Sequence, residues 1–296
     1  MTYKIGVDAG GTHTTAIAYD DNGKKSAQSE SGQGNIIVDY EGGLKNIVSA
    51  IQAVQAKLSG RCEKVLVGIA GLSIYGHEDQ ISHLISEQVD APVRAITDSE
   101  LAFLNGLEGH DGMIVIAGTG SVVNGRQNGK WLIVGGYGQI LGDEGSAYAI
   151  AVDAMKEALA SWDKREANDL IPFFTERFHV ETMADCNAPF YELNRPQVAA
   201  MAEKIAGLAD NGSEDAKNVI AHQAHLLAQQ IITCFNRYDD PKPMRVSLTG
   251  SVLLKNTMMR ALIEDEVKSH FEAATFSLAP VGNARGVLFD NDSPQN

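Results

Sequence analysis

The sequence predicts an α/β protein built from two domains of the same basic type. Short apolar runs typical of strands alternate along the chain with patterns typical of amphipathic helices. The opening pattern of strand, glycine-rich turn, second strand and hairpin turn begins at Tyr3 and starts again at Met113. Gly109-His-Asp-Gly112 lies between these repeats, and 296 residues suffice for two domains. We therefore expect domains at 1–110 and 111–296, with the last helix able to pack back on the N-terminal domain.

The first glycine-rich turn occupies residues 8–14, Asp-Ala-Gly-Gly-Thr-His-Thr. Its two glycines allow close approach of a ligand and a positive φ, and its threonines place hydroxyl groups beside the backbone amides. A carboxylate at the end of the first strand suits the metal side of a magnesium nucleotide. An ordinary glycine hairpin explains the same letters about equally well. The predicted nucleotide contacts are Asp8, Gly10, Gly11, Thr12 and Thr14; His13 is expected to be a bystander.

The remainder of the first domain alternates between strands and helices. Apolar positions from Leu44 to Leu58 lie on one helical face, and Val65–Ile69 has the pattern of a buried strand. A loop from Ser29 to Asn35 precedes the first of these helices. Further elements are expected as a helix at 78–89, a strand at 93–96 and a helix at 99–107. Asp8 and Asp98 should then lie at one edge of the sheet, where its parallel strands end.

The second domain opens on Met113–Ile116 and the turn Ala117-Gly-Thr-Gly-Ser121. A glycine-rich segment at 135–146 leads into a helix expected to begin near Glu144. A long amphipathic helix from Val219 to Phe235 could be core or dimer surface, so a homodimer remains open. The other predicted elements are irregular helical structure at 162–195, a helix at 198–208, a strand at 245–248, a helix at 256–270, a strand at 276–278, a terminal helix from Pro280 and a frayed tail at 291–296.

Composition narrows the class of function. The 24 Lys and Arg residues against 38 Asp and Glu give a net charge of −14, which disfavours binding to nucleic acid. The three cysteines are far apart and form no Cys-x-x-Cys pair, which argues against a zinc site or a disulfide framework. His222 and His225 alone are a weak metal pair. No secretory pattern or membrane-spanning run is present, so we expect a soluble, cytoplasmic protein without membrane partners.

The motifs together resemble the sugar kinase, actin and heat-shock ATPase superfamily. Within it, the chain is most similar to the N-acetylglucosamine kinases of the BadF/BadG/BcrA/BcrD ATPase family. Residues 6–14 resemble the phosphate-1 motif, 117–121 the phosphate-2 motif and 248–251 the adenosine loop, while 135–148 is the most specific block. The resemblance implies two RNase-H-like (actin-like ATPase) domains with a nucleotide cleft between them, and ATP and Mg²⁺ as cofactors. It extends the nucleotide contacts to Gly118, Thr119, Gly120, Gly250, Ser251 and Lys255.

The resemblance also implies a catalytic base and a sugar site. Asp98 matches the base, although Asp before Ser-Glu-Leu would also cap a helix. Asn35 matches a sugar contact, with a solvated loop amide as its alternative, and Asn283 stands where the family usually has Gly. Glu144 could equally well cap a helix, and Lys255 could be a surface lysine. The predicted sugar contacts are Asn35, Asp98, Gly136, Tyr137, Gly138 and Asp143, with Asp8 acting on the metal through water.

The resulting prediction is an ATP- and magnesium-dependent kinase for the 6-hydroxyl of an amino sugar, most closely N-acetylglucosamine. Glucosamine and N-acetylmuramic acid are alternative substrates. A second class is an ATP-driven activator of a dehydratase or reductase, which would require an iron–sulfur cluster that the scattered cysteines do not favour. A sugar sensor on a kinase scaffold ranks last.

Overall fold

The computed structural model describes residues 2–239 and 245–291. The chain divides into two compact units. Within the described ranges, the first comprises residues 2–110 and 279–291, and the second comprises 111–239 and 245–278. Residues 279–291 thus belong to the first unit, whereas the sequence prediction placed the boundary of the second domain at 296. Most of the tail expected to fray, residues 292–296, lies outside the described residues.

The first unit is built on a five-stranded mixed sheet. Its strand order is β3-β2-β1-β4-β5; β1, β2 and β3 form an antiparallel meander, and β1, β4 and β5 run parallel. The strands are β1 Thr2–Ala9, β2 Thr14–Asp20, β3 Lys25–Ser31, β4 Arg61–Ile69 and β5 Val93–Thr97.

Strand β3 corrects the sequence prediction, which placed a loop from Ser29 to Asn35. This strand is an edge strand without buried residues, so it lacks the apolar alternation by which strands are recognised. The apolar residues 36–38 that follow form turns instead. The strand is defined by its backbone hydrogen bonds to β2, and its side chains show no pattern from which a strand could be predicted.

Helices cover the sheet of the first unit. Helix α1 begins after Asp39, whose carboxylate accepts a hydrogen bond from the Gly42 amide, and its buried side chains include Ile47, Ile51 and Val54. The helix predicted at 78–89 is shorter than expected and ends at Ser86. The helices are α1 Tyr40–Gln55, α2 Leu72–Tyr75, α3 Glu78–Ser86 and α4 Asp98–Leu107, followed near the C-terminus by a 3₁₀ helix at Asn283–Phe289 in place of the predicted α-helix.

The 3₁₀ helix packs directly against the central strand β1. A Cβ atom added to Gly6 would overlap the Ala284 carbonyl, and one added to Gly286 would overlap the Leu101 carbonyl. Ala284 and Val287 are buried with the side chains of Leu66 and Leu101. Glycine at position 6 is therefore what lets this segment lie close enough to place Asn283 beside Asp8.

We expect Gly6→Ala to destabilise the protein by about 3 kcal/mol, because the added methyl group overlaps backbone that cannot rotate away. Urea denaturation followed by circular dichroism measures the change. Gly11→Ala is the matched control, since a Cβ there meets nothing within 4 Å. Equal stability of the two variants would contradict the packing described.

The second unit repeats the topology of the first. Its strand order is β10-β9-β6-β7-β8, so that β6 occupies the central position that β1 has in the first sheet. Strands β6, β7 and β8 are antiparallel, and β6, β9 and β10 are parallel. The strands are β6 Gly112–Ala117, β7 Ser121–Gln127, β8 Lys130–Val134, β9 Arg245–Thr249 and β10 Thr275–Leu278.

Two helices of the second unit refine the sequence prediction, one in where it begins and the other in which face is buried. Helix α5 begins at Ala147 rather than near Glu144, because the Ser146 hydroxyl caps it by accepting from the Ala149 amide at 3.1 Å. Helix α10 buries Val219, Ile231 and Phe235 in the core, which resolves the choice between core and dimer surface for that face. The helices are α5 Ala147–Lys164, α6 Leu170–Phe178, α7 Asn187–Tyr191, α8 Arg195–Ala199, α9 Met201–Asp210, α10 Glu214–Asn236, α11 Ser251–Lys255 and α12 Thr257–His270, with a 3₁₀ helix at Ala184–Cys186. In the described part of the chain, no helix has both the length and the apolar character needed to cross a membrane.

Candidate active site

Backbone hydrogen bonds fix the conformation of the turn at residues 8–14. The Gly10 amide donates to the His13 carbonyl at 3.0 Å, and the Gly34 amide donates to the Gly10 carbonyl at 2.8 Å. Neither Gly10 nor Gly11 has a positive φ, contrary to the sequence prediction. A Cβ at Gly11 would lie in open space. Neither backbone conformation nor packing within the protein therefore requires glycine at position 11.

The two threonines of this turn differ. Thr12 is exposed, and its Oγ1 lies 3.1 Å from His13 Nδ1. Thr14 is fully buried, and its Oγ1 lies where a Cβ at Gly34 would overlap it. In this conformation the Thr14 hydroxyl is not accessible to a ligand, which corrects its assignment as a nucleotide contact. Thr14 begins β2, a strand in which most residues of both faces are buried.

Asp8, the residue before the last in β1, is a half-buried carboxylate that accepts a hydrogen bond from one side-chain amide. Asn283 Nδ2 donates to Asp8 Oδ2 at 3.1 Å. Burial raises the pKa of Asp8, the hydrogen bond from Asn283 lowers it, the charge of Asp98 raises it, and His13 lowers it slightly, with a net upward shift. Asn283, the departure from the family pattern, is thus a partner of Asp8.

Asp98 is the first residue of α4 and does not cap that helix. Thr97 is the N-cap: its hydroxyl accepts from the Glu100 amide at 3.1 Å, and the Glu100 carboxylate accepts from the Thr97 amide at 3.0 Å. The helix-cap alternative for Asp98 is therefore wrong. Its Oδ1 accepts from the Ser99 amide at 2.9 Å. The side chain is exposed to solvent, yet the surrounding protein desolvates it enough to raise the pKa of Asp98, against the lowering effect of the Ser99 amide.

Asn35 lies in the loop that joins β3 to α1. Its Oδ1 accepts from the Ile37 amide at 3.0 Å and sits where a Cβ at Gly71 would overlap it. Its side-chain oxygen is thus committed to the loop, so the Nδ2 donor is the group that the prediction of a sugar contact would use.

In the second unit, the turn at residues 117–121 is fastened to the start of α5. The Ala147 amide donates to the Gly118 carbonyl at 2.8 Å, and the Gly118 amide donates to the Gly120 carbonyl at 2.9 Å. The Ser121 hydroxyl donates to the Glu144 carbonyl at 2.7 Å. These bonds leave the Thr119 side chain exposed at the tip of the turn.

A cavity of about 400 Å³ opens beside Thr119. Ser251 and Lys255 also line it, so it brings together three predicted nucleotide contacts from two separate segments of sequence. Small apolar residues of α8 and α9 form much of the wall, and carboxylates stand at its edge. These further lining residues are Pro196, Ala199, Ala202, Glu203, Ala206 and Asp210. A pocket with an apolar wall and a few polar groups suits a nucleoside.

Gly250 and Lys255 are explained in different ways. Gly250 has a φ of +91°, and a Cβ there would overlap the Ala117 backbone, so the fold itself requires this glycine. Lys255 lies at the surface with its Nζ 3.3 Å from Glu203 Oε1, which is consistent with both the cavity and the surface-lysine alternative.

Asp143 has a partner that the sequence did not reveal. It is buried, has a φ of +64°, and its Oδ2 accepts from Arg195 Nη2 at 2.5 Å. A Cβ at Gly120 would overlap both Arg195 Nη2 and Asp143 Oδ2. Glycine at position 120 therefore makes room for an ion pair directly beneath the turn. The predicted sugar contact Asp143 therefore already accepts a hydrogen bond from Arg195.

The remaining predicted sugar residues form an exposed loop. Gly136 and Gly138 have φ values of +72° and +89°, and Tyr137 between them is 71% exposed. Behind the loop, Gln230 Nε2 donates to Glu144 Oε2 at 2.7 Å, which is the role of Glu144 instead of a helix cap. Buried Gln223 accepts from the Gly145 amide at 2.8 Å and anchors the same segment.

Known proteins similar to this chain include two curated relatives and a solved structure. An N-acetylmuramic acid/N-acetylglucosamine kinase of Clostridium acetobutylicum is 33% identical over 171 residues, which is 56% of this chain and 56% of that protein. A glucosamine kinase of Vibrio cholerae is 30% identical over 167 residues, 55% of this chain and 56% of that protein. The match thus spans about half the length of each relative. A solved structure from Chromobacterium violaceum, described as a candidate N-acetylglucosamine kinase, shares the fold with a TM-score of 0.71, 21% identity and 97% coverage of both chains.

The sequence profile of the BadF/BadG/BcrA/BcrD ATPase family matches residues 5–288, which is nearly the whole chain. The chain belongs to the BadF/BadG/BcrA/BcrD ATPase family.

Proposed function

We propose that the protein is an ATP-dependent amino-sugar kinase that phosphorylates the 6-hydroxyl of N-acetylglucosamine, with glucosamine and N-acetylmuramic acid as alternative substrates. One observation carries the nucleotide half of this proposal: Thr119, Ser251 and Lys255 line a single cavity. The names of the two relatives, which are kinases of amino sugars, support the sugar half.

Asp98 is the proposed general base. A base must be free to take the proton of the attacking hydroxyl, and the Thr97–Glu100 capping box leaves the Asp98 carboxylate free of that structural duty. A raised pKa makes the carboxylate a better proton acceptor, provided that it remains ionised at the working pH. Asn35, Gly136, Tyr137, Gly138 and Asp143 are retained as proposed sugar contacts.

Magnesium fits the donor chemistry near Asp8. This carboxylate is partly desolvated and repelled by Asp98, and Asn283 is the side chain that bonds to it. Oxygen ligands of this kind suit a hard divalent cation, which would supply charge neutralisation for the nucleotide phosphates. We propose that Asp8 holds Mg²⁺ through water, and that Gly10, Gly11 and Thr12 in the first unit and Gly118, Thr119 and Gly120 in the second bind phosphate. The protein is proposed to act in the cytoplasm.

Gly11→Ala is expected to weaken ATP binding about 10-fold, a loss of about 1.4 kcal/mol, while leaving the free energy of unfolding unchanged. The added methyl group meets no protein atom but takes the space that a phosphate would use. Isothermal titration calorimetry with a non-hydrolysable ATP analogue measures the affinity. Unchanged affinity would remove Gly11 from the proposed phosphate site.

The decisive experiment measures ADP release over a panel of sugars: N-acetylglucosamine, glucosamine, N-acetylmuramic acid and glucose. We expect an amino sugar to stimulate ATP turnover strongly and glucose to do so weakly. If no amino sugar stimulates turnover, the kinase proposal fails. ATP turnover that proceeds equally without sugar would instead favour an ATPase activator.

The three cysteines do not favour the ATP-driven activator, which would need them to bind an iron–sulfur cluster. Cys62, Cys186 and Cys234 are all buried, and burial raises the pKa of Cys62 and Cys234 to about 11. Thiolates, not thiols, are the ligands of iron–sulfur clusters. Iron analysis and an absorption spectrum of anaerobically purified protein test this class independently of the sugar panel.

A further inference from the structure

Arg195 lies beside the turn at residues 117–121, and the residue after it lines the neighbouring cavity. Its Nη2 donates a hydrogen bond to Asp143 Oδ2, and a Cβ added to Gly120 would overlap both of these atoms. The next residue, Pro196, lines the cavity together with Thr119. The guanidinium therefore lies at the turn, close in sequence to the cavity wall, where the phosphate chain of a nucleotide in the cavity would meet the turn.

The donors of Arg195 are only partly used. A guanidinium has five N–H donors, and one of them bonds to Asp143 Oδ2. Among the described residues, the buried Nε has no hydrogen-bond partner. The side chain remains 39% exposed, so that a ligand can reach it, while Asp143 is only 4% exposed at its side chain. An oriented, accessible cation with spare donors suits a phosphate, which guanidinium groups bind through two parallel hydrogen bonds.

Charge gives the same indication. The chain has a net charge of −14, so its overall electrostatic field repels a nucleoside triphosphate, which must be bound against that repulsion. Lys255, a cation that lines the cavity, is paired with Glu203. The Asp143 carboxylate lies on the same side of Gly120 as the guanidinium and fixes it at the turn. Because Asp143 is buried, it exposes little of its own charge to a ligand.

We infer that Arg195 binds the phosphate chain of the nucleotide and that Asp143 acts as the positioning residue that holds Arg195 in place. This inference rests on the proposed function, because it requires that the cavity take a nucleotide. It adds a phosphate contact from α8, an element that the sequence motifs do not include.

The test compares equilibrium binding of ATP, ADP and adenosine to the full-length protein without sugar. Arg195→Ala should weaken ATP binding by about 10- to 100-fold, the range expected for a charge-assisted hydrogen bond, and leave adenosine affinity unchanged. Arg195→Lys should recover part of the loss, because it restores the charge without the planar fork. Asp143→Asn should show a smaller loss with the same selectivity for phosphate.

Arg126→Ala is the matched control. It removes an arginine of the same unit that is also paired with an aspartate, Asp111, at 3.2 Å. It should leave ATP affinity unchanged, and melting temperatures of all variants report on folding. Equal loss of ATP and adenosine binding in Arg195→Ala, or unchanged ATP affinity, would overturn the inference. If the unaltered protein binds no ATP, the proposed function itself fails, which is a separate result.

Discussion

Asp98→Asn is expected to lower sugar-dependent ATP turnover by about 10²- to 10⁴-fold, the range that general-base catalysis contributes. The amide cannot accept the proton of the sugar hydroxyl. The capping box of Thr97 and Glu100 does not involve the Asp98 side chain, so α4 should remain intact. A coupled ADP-release assay measures turnover, and calorimetry should show ATP affinity unchanged.

The pH profile provides a second readout for Asp98. Its pKa is raised above the ordinary value of 3.8, so kcat/KM should fall as the pH drops through that raised pKa and the base becomes protonated. Asp98→Asn should remove this acid limb from the residual activity.

Thr97→Ala separates the helix-capping role from the role of general base, both of which the local sequence allowed for Asp98. It breaks the cap that Asp98 was expected to provide, so it should destabilise α4 by about 1 kcal/mol and retain most of the turnover. A large loss of stability in Asp98→Asn, with little loss in Thr97→Ala, would restore the capping role to Asp98 and contradict its assignment as the base.

The example of Asp98 shows what local sequence can and cannot decide. Asp, Ser and Thr are all good N-caps, so Thr97-Asp98-Ser99 offered three candidates. Glu100 decides in favour of Thr97, because a glutamate three residues after the cap completes the capping box. The sequence therefore contains the signal that assigns the cap to Thr97 instead of Asp98.

Other parts of the fold were predictable for a simple physical reason. Buried strands such as β4 and β6 are continuous apolar runs, and the repeated hairpins carry glycine and asparagine turns. The short helices α6–α8 have too few turns for a clear 3.6-residue period, and the polar edge strand β3 has no apolar face. Their positions depend on tertiary packing.

The missing parts of the site are pairs of residues that are distant in sequence. Arg195 is 52 residues from Asp143, and Asn283 is 275 residues from Asp8. Neither partner belongs to the motif that it supports, and one sequence contains no record of which distant side chains meet. Gly120 and Gly250 are predicted ligand contacts, but packing within the fold also favours glycine at both positions, because a Cβ there would overlap residues that are distant in sequence.

Asp8→Asn is expected to stabilise the ligand-free protein and to abolish most of its stabilisation by Mg·ATP. The folded state raises the pKa of Asp8, because burial and the Asp98 charge outweigh the hydrogen bond from Asn283. The folded protein therefore binds the proton more tightly than the unfolded chain does. Consequently Asp8 makes stability fall as pH rises from about 3.8 through the raised pKa. The neutral amide removes this loss and still offers an oxygen to Asn283 Nδ2.

Thermal unfolding at several pH values, with and without Mg·ATP, tests both halves of this prediction. The stability difference between Asp8→Asn and the unaltered protein should be absent near pH 3 and largest at neutral pH. At 100 times the dissociation constant, a ligand stabilises its protein by about 2.7 kcal/mol, and Asp8→Asn should lose most of that gain. Asp20→Asn, an exchange in the hairpin turn after β2, is the control for removing a carboxylate from the same unit. If Asp8→Asn is less stable than the unaltered protein without ligand, Asp8 serves the fold. If the variant is instead more stable without Mg·ATP and gains less stability from it, Asp8 is a carboxylate whose repulsion in the free protein is retained for binding a cation.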